Sequence, residues 1–112
     1  MKFFTSVIML VFLSLPSIKA QKIYSVNYAS KADIKVYVAE YSSQADLLVY
    51  KVQYKSQAGK NDGNWFFVKY ESQADKKIYF VNYKSQADLT IHFVDYKSQA
   101  GWKNKSKKHL LY

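Results

Sequence analysis

The 112-residue chain has no cysteine and no arginine, and only one proline, three glycines and two histidines. Without cysteine no disulfide can staple the fold, no lipid can be attached through a thiol, and thiolate zinc sites are excluded. The missing arginine removes the guanidinium fork that reads phosphates and base edges bidentately, so no specific nucleic-acid partner is expected. No glycine loop is suited to cradling a phosphate, and His92 and His109 form no paired metal-ligand motif. Stability must therefore come from packing and topology.

Long apolar runs are also scarce. The clearest, Phe3 to Leu15, follows the basic start Met1-Lys2, is broken by Thr5, Ser6 and Ser14, and ends at Pro16. Ser17-Ile18-Lys19-Ala20 then supplies a small residue before Gln21, which is the layout of a cleaved secretory signal peptide over residues 1–20. The run is shorter than the roughly 20 residues a bilayer-spanning helix needs, so no transmembrane span is expected in the mature chain. Export would leave the protein secreted, or in the periplasm or cell envelope. Residues 22–112 then form one domain with a modest core, expected as a monomer.

What the chain has in abundance is a repeat. Ser-Gln-Ala followed by Asp or Gly occurs at Ser43–Asp46, Ser56–Gly59, Ser72–Asp75, Ser85–Asp88 and Ser98–Gly101, with Ser30-Lys31-Ala32-Asp33 as a variant copy. A tyrosine stands just ahead of each serine, with one residue between them, at Tyr28, Tyr41, Tyr54, Tyr70, Tyr83 and Tyr96. Successive tyrosines are thirteen positions apart, except for a step of sixteen from Tyr54 to Tyr70. A further step of sixteen leads from Tyr96 to Tyr112. The long steps follow Gly59 and Gly101, so the pattern met at Tyr28 renews itself at Tyr70 and again at Tyr112, a long period of forty-two above the short one of thirteen.

Each unit reads as strand then turn. Tyr79, Val81 and Tyr83 share one face and Ile78 and Phe80 the other, and β-branched and aromatic residues at period two predict strands. The second face is apolar at Ile23, Val36, Val49, Trp65, Ile78 and Ile91 but mixed at Ser25, Val38, Lys51, Phe67, Phe80 and Phe93. The tyrosines, sharing a face with the valines, are expected in the core. In the tetrad, Ser and Asp are expected to cap a tight or single-helical turn, and Gln to reach a neighbouring strand's backbone. The constant Ala suggests a close backbone neighbour, and Gly59 and Gly101 are expected to take positive φ.

The tandem run Tyr-Lys-Ser-Gln-Ala-Asp-Leu, with Ile/Val-Tyr-x-Val-x-Tyr strands, resembles the 7(1) septoil knot domain family over residues 22–112. That resemblance implies a mainly β, compact, deeply knotted single domain of seven short strand-turn repeats, each of about thirteen positions, with no established activity. As a path, such a knot circles a ring twice, so each long period would be one lap, placing the Tyr28 unit beside those of Tyr70 and Tyr112. The competing architecture is an open β-solenoid, whose stacked repeats would share the short period. Lys31, Ala39 and His92 depart from the repeat, and the seventh unit departs most, with Lys107, Lys108 and His109 at strand positions.

No catalytic constellation accompanies the repeat. The serines are copies of a turn residue, and His92 occupies a tyrosine slot, where a packed aromatic is the simpler reading. Asp33, Asp46, Asp75 and Asp88 come once per unit and do not supply the dense oxygen set calcium needs. The expectation is therefore a non-enzymatic exported structural or binding protein without cofactor or metal. Seventeen lysines against eight acids give a formal charge of +9, and Lys103, Lys105, Lys107 and Lys108 crowd the end of the chain. A second reading is thus a cell-envelope or extracellular module that binds an acidic glycan or other cell-surface polymer through these lysines and exposed tyrosines.

Overall fold

A computed structural model describes residues 21–112, so the signal-peptide segment lies outside the described residues. Seven strands form: β1 (Lys22–Ser25), β2 (Ile34–Val38), β3 (Leu47–Lys51), β4 (Asn64–Phe67), β5 (Lys76–Phe80), β6 (Leu89–Phe93) and β7 (Gly101–Trp102). β1 to β6 run parallel and close into a barrel in the order β1-β5-β2-β6-β3-β4, with β4 returning to β1. β1, β2 and β3 take alternate places on a first circuit, and β4, β5 and β6 fill the gaps on a second.

Register ties this arrangement to the sequence. Ile34 aligns with Ile78 and Leu47 with Ile91, the same offset of 44 that separates Asp33 from Lys77 and Asp46 from Thr90. This is the long period, Tyr28 to Tyr70, shifted by one pleat repeat of two, which keeps the same faces inward. On the other flank Ile23 aligns with Lys76 and Val36 with Leu89, the offset of 53 that separates Lys22 from Asp75 and Lys35 from Asp88. The open solenoid, in which successive units would stack on one another, is overturned. The strand of the next unit is displaced by a strand from the other circuit, and β4 closes the ring by pairing with both β1 and the end of β3.

Parallel strands of one sheet commonly need crossovers of about a dozen residues or more. Here eight residues suffice between β1 and β2, β2 and β3, β4 and β5, and β5 and β6. Each link holds a 3₁₀ turn of three residues, the first at Ala29–Lys31 and the second at Ser42–Gln44. The turn after β1 packs on β5 and that after β2 on β6, while those after β4 and β5 pack on β1 and β2. Each crossover therefore straddles the strand of the other circuit that separates the two strands it joins.

Several local expectations are corrected. Tyr28, Tyr41, Tyr54, Tyr70, Tyr83, Tyr96 and Tyr112 are 60–73% exposed. Each of the first six lies past the end of its strand, where it opens the outer turn instead of facing the core. Gln57 and Gln99 accept from the Tyr54 and Tyr96 N–H at 3.2 and 3.3 Å, closing their own turns and not reaching a neighbour's strand. Each Ala ends its turn, its N–H donating to the carbonyl three residues back. Gly101 does take a positive φ of 148°, but Gly59 does not. A Cβ at Gly59 would instead strike the Asp62 carboxylate. Positive φ in that longer link falls at Asn61 and Gly63, and a Cβ at Gly63 would strike the Leu48 carbonyl.

The seventh unit also differs from expectation. β7 has two residues and pairs antiparallel with the start of β3. Lys107, Lys108 and His109, placed by the repeat on a strand, lie in a 3₁₀ helix over Lys105–Leu111. Asn104 caps that helix by accepting from the Ser106 N–H at 3.3 Å.

Candidate functional site: the open end of the barrel

Inward-facing residues from the six strands build layers. Ile23, Val36, Val49, Trp65, Ile78 and Ile91, one from each strand, are 0% exposed and form the middle of the core. Burying each such side chain contributes about 1.5–3 kcal/mol before the entropy of ordering it. Two residues further along each strand stand Ser25, Val38, Lys51, Phe67, Phe80 and Phe93, and these six line a cavity of about 440 Å³ at the C-terminal ends of the strands. This is the low part of the roughly 300–1,000 Å³ typical of small-molecule sites.

Lys51 is the one charged member of the ring. β3 lies between β6 and β4, so the Lys51 ammonium sits 4.4 Å from the centroid of Phe93 and 5.5 Å from that of Phe67. Both distances suit cation–π attraction. Trp65, which aligns with Lys51 across the β3–β4 pair, meets Phe67 edge-on at 6.0 Å. Its buried indole N–H has no acceptor among the described residues.

The opposite end is sealed. Leu111 is buried in the core cluster, with Trp102 and Leu110 packed against it. Gln21 Nε2 donates to the Leu111 carbonyl at 3.3 Å, Asn61 Nδ2 to the Lys108 carbonyl at 3.0 Å, and Trp102 Nε1 to the Asn61 carbonyl at 3.0 Å. The extension after Gly59 thus supplies Asn61 as the dock for the tail. Of the lysines proposed to meet a polyanion, Lys103 donates to the Ser42 carbonyl at 3.1 Å, and Lys107 donates to the Asp88 carbonyl at 3.2 Å and pairs with Asp46 at 3.4 Å. Lys105 is exposed and Lys108 half-buried.

The repeated aspartates act between circuits, not as turn caps. Asp33 Oδ2 accepts from the Lys77 N–H at 2.8 Å, while the Asp33 N–H donates to the Lys77 carbonyl at 2.7 Å. Asp46 and Thr90, Asp75 and Lys22, and Asp88 and Lys35 repeat this two-bond clamp. Among the described residues no group of three His, Cys, Asp or Glu side chains is placed to hold a metal ion. Asp46 also anchors the tail, its backbone carbonyl accepting from the Lys103 and Asn104 N–H groups at 2.8 and 2.9 Å. Burial alone would push its carboxyl up, but the Thr90 N–H, the Asn104 amide and the Lys107 ammonium outweigh burial and hold it below its ordinary value.

His92 is half-buried, its Nδ1 2.9 Å from the carbonyl of Ala39, so two departures from the repeat meet. His109 lies exposed in the tail, its Nδ1 3.0 Å from the Ser106 carbonyl. Sequence reasoning misses the open ring as a site, although its signal is present as the one inward slot holding mixed residues. No helix among the described residues is long and apolar enough to cross a membrane. No curated protein and no solved structure significantly matches the chain. Residues 20–103 match the family profile described as the 7(1) septoil knot domain, a span that ends just before the sealing helix. Together with the tandem tetrads and the strand-turn units, that match shows that the chain belongs to the 7(1) septoil knot domain family.

Proposed function

We propose that this is a non-enzymatic, exported binding module whose chain is knotted, with topology supplying resistance to unfolding and the open barrel end supplying the binding surface. The observation that carries the reading is the alternation of the two circuits, with each of β1 to β6 flanked by strands of the other and β1, β2, β5 and β6 straddled by its crossovers. A path that circles twice in this way supports a two-lap torus knot as the topology of the chain. The open ring holds one titratable side chain, Lys51, and so offers no acid–base pair for catalysis. Export rests on the Met1–Ala20 pattern. Polyanion binding through the tail is the weaker reading, because Lys103 and Lys107 are engaged in holding the tail down.

The meeting of Gln21 with Leu111 permits a direct test of topology. The full chain carrying Gln21→Cys and Tyr112→Cys has no other thiol, so a disulfide can close it into a ring either after folding or in denaturant before any folding. The two products are covalently identical. A knot predicts that the ring closed after folding is smaller and migrates differently under denaturing conditions. Identical migration would refute it.

A further inference from the structure

We infer that the open end of the barrel binds a small amphiphilic anion, an aromatic or aliphatic body carrying a single carboxylate or sulfonate, with Lys51 taking the acid group and Phe67, Phe80, Phe93 and Val38 taking the body. This deepens the binding-module reading and rests on it.

The composition of the ring selects such a ligand. Five of its six positions are neutral, four of them apolar, so the ring gains most from ligand surface that is itself apolar. The sixth position is an ammonium with no carboxylate among the lining residues to neutralise it. A ring of phenylalanines alone would favour a quaternary ammonium ligand, but Lys51 already occupies the faces of Phe67 and Phe93 and repels a second cation. A lysine serving only to solubilise the rim would extend its head into water. Lys51 is exposed to water, yet its ammonium also lies over the Phe67 and Phe93 rings, which places the point where an acid group would meet it. Charge-assisted pairing then selects an anion over a neutral molecule of the same shape.

The test uses the full chain and three probes of matched size: phenylbutyrate, phenylbutanol and phenylbutylamine. Affinities are read by calorimetry and by tryptophan fluorescence, in which Trp65, aligned with Lys51, reports the ring and Trp102 the sealed end. Phenylbutyrate should bind about tenfold more tightly than phenylbutanol, the scale of one charge-assisted contact, and phenylbutylamine more weakly than either. In Lys51→Met the acid and alcohol should bind within about twofold of each other, with the alcohol unchanged. In Phe80→Ser all three should weaken together. Equal affinities in the native protein, an anion preference that survives Lys51→Met, or no binding of any probe would each overturn the inference. Because ring topology is read by migration without a ligand, failure here is separable from failure of the knot.

Discussion

The two ends of the barrel are built by the same six strands, yet one is sealed and the other open. At the sealed end Leu111 enters the core and Asn61, Gln21 and Asp46 hold the tail through hydrogen bonds. At the open end the equivalent inward slots carry three phenylalanines, a valine, a serine and a lysine, with nothing placed over them among the described residues. The repeat alone would make the ends of every unit alike. What separates them is the irregular part of the sequence, the extensions that follow Gly59 and Gly101. Regular units build the wall, and the departures from regularity close one end of it.

This contrast can be broken most forcefully at the sealed end. Leu111→Ala should cost about 2–4 kcal/mol in chemical denaturation, because it leaves a cavity beneath the tail that only partial collapse can fill. Next in size, Asp46→Asn should cost about 1–2 kcal/mol, since it weakens the bonds to Thr90, Asn104 and Lys107 at once. Increased amide exchange confined to residues 103–112 and the start of β6 would identify the cause.

Acid should act at the same place. The folded-state pKa of Asp46 lies below its unfolded value, so its contribution is fully present above about pH 4 and is lost as pH falls through the folded value. The tail should therefore loosen at acid pH before the barrel melts, and Asp46→Asn should flatten that response. The smallest effect is expected at the open end. Phe80→Ala should change stability by less than about 1 kcal/mol, because this side chain is already substantially exposed. A large loss from Phe80→Ala together with a small one from Leu111→Ala would invert the comparison.

Much of this architecture is legible in the sequence. The strand slots, the core face from Ile23 to Ile91 and the turns all correspond to features of the fold. The tyrosines mislead because period two places them on a strand face with the valines, whereas the strands end before reaching them. Barrel closure is not legible, since it depends on where β4 lands relative to β3 and β1, a distance that no local pattern encodes. The aspartates reveal their role only in three dimensions, because their partners lie 44 or 53 residues away. The open ring needs both facts together. Only after closure do six slots, ordinary in their own strands, face one another.

Interleaving of the two circuits is therefore the claim on which the wall, the open end and the proposed knot all depend. It is tested most directly by nuclear Overhauser contacts between backbone protons of residues on neighbouring strands. The alternating barrel predicts contacts between the Ile34 and Ile78 segments and between the Val36 and Leu89 segments, with none between Ile23 and Val36 in ladder register. Ladder contacts between successive units, Ile23 with Val36 and Val36 with Val49, in place of those across the two circuits, would contradict it.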